Sequence, residues 1–110
     1  MLTVDDIVEI NKSFDTGNLV NRSSLEFALS SARKTKDWVT QLAYLVRSIV
    51  LDHVFEEGNK RTAVAVILAY MNAHKKGYDL TKIDALVITV IKKQVNDIVR
   101  IRRLLKDAIW

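Results

Sequence analysis

The sequence predicts an all-α fold: a compact single-domain bundle of about six helices with a central buried helix, spanning residues 1–110. Three observations predict it. Apolar residues recur three and four positions apart along most of the chain, the spacing that gathers them on one face of a helix. Proline is absent and glycine stands only at positions 17, 58 and 77, too little punctuation for a turn-rich β fold. Residues 63–71 form an unbroken apolar run of nine. That suits a helix enclosed on most sides and falls well short of the roughly 20 residues a membrane span requires.

The elements follow in order. Thr3 precedes Val4, Ile7, Val8 and Ile10, a cap followed by an apolar stripe that ends near Ser13. Residues 15–21, with Gly17, Asn18 and Asn21, read as a loop. Ser23 and Glu26 have capping-box spacing and are expected to open a short helix through Leu25, Ala28 and Leu29. Residues 33–36 form a charged connector. A longer helix is expected over 37–52, with Val39, Leu42, Ala43, Val46, Ile49 and Val50 facing inward. After a loop, residues 60–74 carry the apolar run and are expected at the centre of the domain, with Gly77 helping to end the helix. Thr81 is the expected cap of a helix over 82–93. Its β-branched residues 87–91 favour a strand on propensity alone, but no partner strand is visible, and helix is preferred. Residues 97–109 place Ile98, Ile101, Leu104, Leu105, Ala108 and Ile109 on one face. Arg100, Arg102, Arg103 and Lys106 fall mostly elsewhere, on an expected solvated face. Trp38 and Trp110 are expected to pack, and His74 to sit at a helix C-terminus.

Composition narrows the function classes. Seventeen Lys and Arg against thirteen Asp and Glu give a net charge of +4, which suits an acidic partner such as a nucleotide, a nucleic acid or an acidic protein. Cysteine is absent, which excludes disulfides and cysteine-bound metals and suits the cytoplasm. Asp5, Asp6 and Glu9 interrupt the first apolar stretch, so no secretory signal is expected.

One segment concentrates chemistry: His53-Val-Phe-Glu-Glu-Gly-Asn-Lys-Arg-Thr62. Gly58 lets the backbone turn sharply and lets a ligand approach closely. The amides of Gly58, Asn59 and Lys60 then lie at a helix start, where free N–H groups and the positive end of the helix dipole favour a phosphate. Lys60 and Arg61 add charge, and Arg61 can grip phosphate oxygens bidentately. Two cations at a helix N-terminus oppose the dipole unless an anion is bound, which favours a functional reading. Glu57 offers a carboxylate for magnesium. His53 can take a proton from a hydroxyl near neutral pH. Phe55 is expected to turn inward and pin the loop. A base, a metal ligand and an anion cradle are the parts phosphoryl transfer requires.

The segment resembles the signature of the Fic/Doc family: His-x-Phe-x-acid-Gly-Asn, then Gly or Lys, then Arg. Lys60 after Asn59, with Thr62 and Ala63 after Arg61, is similar to the Doc ("death on curing") branch. Leu25-Glu26-x-Ala28-Leu29 and Gly77-Tyr78-Asp79-Leu80 resemble further family segments, with Lys76 where the family has Asn. The resemblance implies a Fic-type helical bundle and a toxin-like kinase. Such an enzyme moves the terminal phosphate of ATP, with magnesium, to a Ser or Thr hydroxyl of a target protein such as a translation elongation factor. It implies His53 as general base, Glu57 as magnesium ligand, and a nucleotide site at Phe55, Gly58, Asn59, Lys60 and Arg61. Adenylyl transfer is the alternative activity. Fic adenylyltransferases usually carry Gly at the Lys60 position and a second Arg at the Val64 position, which disfavours it here.

Two expected family features are missing or reduced. The self-inhibiting pattern of Ser or Thr, three residues, Glu and Gly or Asn is not found, so control by a separate antitoxin chain is expected. The flap that receives target backbone as an added strand is confined to residues 33–36. A weakly active binding module paired with an antitoxin is therefore a second reading. A basic nucleic-acid binder ranks last, because no recognition-helix motif is apparent.

Overall fold

A computed structural model describes residues 2–110. Six helices follow one another: α1 (Val4–Lys12), α2 (Arg22–Ala32), α3 (Trp38–Leu51), α4 (Asn59–Ala73), α5 (Leu80–Lys93) and α6 (Ile98–Asp107). Among the described residues there is no strand, only two isolated antiparallel bridges, Leu19 with Phe55 and Tyr78 with Ile109. The expected all-α fold is the observed one. None of these helices is long and apolar enough to cross a membrane.

The helix starts show how the sequence sets the boundaries. Thr3 and Asp6 form a reciprocal capping box: Asp6 N–H donates to Thr3 Oγ1 at 3.2 Å, and Thr3 N–H donates to Asp6 Oδ2 at 2.8 Å. The expected box at Ser23 and Glu26 does not form. Asn21 caps α2 instead, its side chain accepting from Ser24 N–H, and the helix starts two residues earlier than the Ser/Glu spacing suggested. Asp79, not Thr81, caps α5 through bonds from the amides of Thr81 and Lys82. In both corrections an Asx residue two positions upstream outcompetes a hydroxyl, because its carbonyl-type oxygen reaches the N2 and N3 amides. Residues 87–91 are helical, as preferred.

The central buried helix is α3. It touches α2, α4, α5 and α6 and buries Leu42, Ala43, Leu45, Val46 and Ile49 completely. The more uniformly apolar α4 lies beside it, packed on α1, α3 and α5, with Val64, Ala65 and Leu68 only half-buried. The expectation that α4 holds the centre is thus corrected: apolar composition all round does not require burial all round when one side lines a cavity.

Gly77 plays a different part from the one expected. Lys75, not Gly77, takes the left-handed conformation after α4, with φ 56°. Gly77 instead accommodates Trp110: a Cβ there would stand 2.3 Å from the indole Nε1, and Trp110 N–H donates to the Gly77 carbonyl. Trp38 stacks on His74 with ring centroids 4.3 Å apart, which uses both residues in packing at the C-cap of α4.

Candidate functional site

The 52–58 loop joins the two core helices α3 and α4, and it is strapped on both sides. Val54 and Phe55 are buried in the core, with Phe55 only 1% exposed. The α1–α2 loop runs antiparallel beside them. Val20 and Asn21 N–H donate to the Val54 carbonyl at 2.9 and 3.1 Å, and Glu56 N–H donates to the Asn18 carbonyl at 3.0 Å. Asn18 Nδ2 also donates to Glu56 Oε2 at 2.7 Å, and Asn21 Nδ2 to the Asp52 carbonyl at 3.0 Å. Phe55 pins the loop as expected, but it lines neither cavity described below, so its part in the site is positional.

Asn59 closes the loop from inside. Its Oδ1 accepts from Phe55 N–H at 2.9 Å and its Nδ2 donates to the Phe55 carbonyl at 2.8 Å. One donor and one acceptor of its side chain are thus used on the loop, and its backbone amide stands at the start of α4. Gly58 adopts the left-handed conformation at φ 78°, and no side chain caps α4 there. Thr62 N–H donates to the Gly58 carbonyl at 2.9 Å, which makes the amides of Asn59, Lys60 and Arg61 the free first-turn donors of α4. No acidic residue stands in that turn.

A cavity of about 670 Å³ opens at this helix mouth. Glu57, Gly58, Asn59, Lys60 and Arg61 line it, together with Phe14 and Asp15 from the α1–α2 loop, Val64, Ala65 and Leu68 from α4, and Asp84 from α5. That volume lies within the range of small-molecule sites, and an apolar wall with a few convergent polar groups is their usual chemistry. Lys60 and Arg61 are exposed and take no part in the three ion pairs among the described residues.

The structure thus brings five of the seven sequence-predicted residues to one cavity. His53 lies elsewhere. It follows the C-cap Asp52 of α3 in the left-handed conformation, φ 47°, the usual way for a chain to leave a helix and one that histidine tolerates better than most side chains. It is exposed and lines a second cavity of about 700 Å³ with Asp52, Arg47, Phe27, Ile91, Gln94 and Asn96 among others. One loop therefore carries His53 onto one cavity and the first-turn amides of α4 onto another.

Glu57 fits a magnesium ion of the kind that accompanies a nucleotide. Its side chain is exposed and forms no ion pair among the described residues. No group of three or more His, Asp or Glu side chains stands ready to hold a metal among the described residues. Magnesium is commonly held by one or two carboxylates plus the phosphates of its substrate, which needs no preformed protein cage.

Sequence reasoning missed Asn11, Asp15 and Asp84. Asp15 and Asp84 come to the cavity through tertiary packing and carry no local signal. Asn11 did carry one: it lies four residues after Ile7, on the apolar stripe of α1, where a polar residue must be buried and bonded. It is fully buried.

No curated protein and no solved structure matches the chain. The family model described as "Fic/DOC family" matches residues 2–71, which contain the α1–α2 loop, the 52–58 loop with His53 and the first turn of α4. The chain belongs to the Fic/DOC family.

Proposed function

We propose that the chain is a nucleotide-dependent protein phosphotransferase of the Doc type, moving the terminal phosphate of ATP to a Ser or Thr hydroxyl of a target protein. The observation that carries this reading is the uncapped mouth of α4, where the amides of residues 59–61 meet one cavity together with Lys60 and Arg61, which form no ion pair among the described residues. A triphosphate bound there supplies the anion that two adjacent cations at a helix N-terminus lack. Glu57 would hold the magnesium ion, which neutralises charge on the phosphates.

The chemistry asked of the protein is modest. His53 takes the proton of the acceptor hydroxyl. The oxygen attacks the terminal phosphorus, the bond from that phosphorus to the bridging oxygen breaks, and ADP leaves. The first-turn amides, Lys60 and Arg61 bear the charge that develops on the transferred group. Lys60 in place of Gly, and Val64 in place of a second Arg, favour terminal-phosphate transfer over adenylyl transfer. Regulation by an antitoxin in trans belongs to the same proposal.

Label transfer tests it. The chain is incubated with a purified translation elongation factor, or with a cell extract, and with γ-labelled or α-labelled ATP. Label is expected in protein from γ-labelled ATP only. Transfer from α-labelled ATP alone would show adenylylation instead, and no transfer from either would remove the enzymatic reading.

A further inference from the structure

Asn11 has no part in the reading above, yet both of its side-chain N–H groups are committed to the loop and first turn that form the site. Its Nδ2 donates to the Glu57 carbonyl at 3.1 Å and to Thr62 Oγ1 at 2.9 Å, and its Oδ1 accepts from Gly17 N–H at 2.8 Å. Thr62 is itself fully buried. A Cβ on Gly58 would stand 3.1 Å from the same Nδ2, so the Asn11 amide packs directly against the left-handed glycine.

Peptide planarity turns these contacts into a consequence for the anion cradle. In a trans peptide the C=O and N–H point in opposite directions, and there is no cis bond among the described residues. Holding the Glu57 carbonyl on Asn11 therefore turns the Gly58 N–H away from α1. That N–H has no protein acceptor among the described residues, and Gly58 lines the cavity. The bond to Thr62 fixes the first turn of α4 in the same stroke. The geometry points to Asn11 as a positioning residue that aims the Gly58 amide and the first-turn amides of α4 at the terminal phosphate of a nucleoside triphosphate. It touches neither phosphate nor acceptor, and it rests on the nucleotide reading of the cavity.

Three substitutions probe the two ends of the Asn11–Thr62 bond. Asn11→Asp keeps the shape and the acceptor for Gly17 while removing both N–H donors. Thr62→Val keeps the shape of Thr62 and removes the hydroxyl, and Thr62→Ser restores it. MgATP affinity is measured by calorimetry on the full chain, with helix content followed by circular dichroism and KM and kcat followed wherever transfer is detected. Asn11→Asp is expected to weaken MgATP binding about tenfold. Thr62→Val is expected to weaken it less, and Thr62→Ser to match the wild type. A purely structural role would lower the folded fraction, and with it apparent kcat, without moving KM for MgATP; positioning raises that KM.

The outcomes separate the two proposals. A wild-type chain that binds no MgATP removes the nucleotide reading, and this one with it. Wild-type binding with unchanged affinity in folded Asn11→Asp and Thr62→Val overturns the Asn11 assignment alone. Loss of fold in both variants makes Asn11 a core residue and overturns it too.

Discussion

His53 and Gly58 both take the left-handed backbone conformation, for different reasons. Gly58 does so without a side-chain penalty and starts α4, and His53 does so to leave α3. Their roles follow from where those turns point them. Because His53 lies off the cavity lined by residues 57–61, its imidazole is not needed to hold a nucleotide there. His53→Ala is therefore expected to reduce transfer by roughly 10²–10⁴-fold while MgATP affinity stays near the wild-type value. Equal losses in both quantities, read from labelling and calorimetry, would place the imidazole on the nucleotide instead. Five of the seven candidate residues come to one cavity because they are neighbours in sequence, where a single turn and helix start decide their geometry. Asn11, Asp15 and Asp84 were not legible in the sequence, because contacts across the fold decide their geometry.

At the scale of elements, all six helices were legible from apolar spacing, while their caps were only partly so. Thr3 was found because no Asx residue competes upstream of it. Ser23 and Thr81 do not cap because Asn21 and Asp79 stand two residues earlier with better acceptors. The α5 cap gives a direct check. Asp79→Ala removes the acceptor for two first-turn amides and is expected to cost about 1 kcal/mol. Thr81→Ala, at an exposed position inside the helix, is expected to stay within about 0.5 kcal/mol. Urea denaturation measures both, and the reverse ranking would restore Thr81 as the cap. The choice of helix for residues 87–91 over their strand propensity succeeded for a physical reason: Val87 and Val90 sit on a stripe that α5 buries.

Across the whole molecule, α3 is the hub on which α2, α4, α5 and α6 pack, and the site is held where its C-terminal end turns into the loop before α4. The assignment of the centre to α4 failed because hydropathy reports how apolar a helix is and not how many neighbours it has. The opposite end of α3 is tied to α6 by Arg102, whose Nε donates to Asp37 Oδ2 at 2.6 Å. One member of the expected solvated arginine face is thus a structural ion pair. Burial raises the Asp37 carboxyl, but bonds from Thr40 and Arg102 and the guanidinium charge outweigh it, leaving the carboxyl below its ordinary value. A carboxyl depressed in the folded state stabilises above the ordinary carboxylate range and loses that contribution as pH falls through its folded value. The pair is partly solvated, so Arg102→Ala is expected to cost only about 0.5 kcal/mol near neutral pH, a few degrees in Tm. Thermal melts should show the gap between variant and wild type closing as the solution is acidified below the carboxylate range. A gap of the same size at every pH would assign the loss to side-chain packing.

The nucleotide reading places a triphosphate on the free amides at the start of α4. Titrating isotope-labelled chain with MgATP and following its backbone amide resonances observes those amides themselves. Saturable shifts concentrated at Gly58, Asn59, Lys60 and Arg61, with α6 unmoved, are the expected result. Amides that stay still at that helix mouth through millimolar MgATP, or shifts confined to another surface, would contradict it.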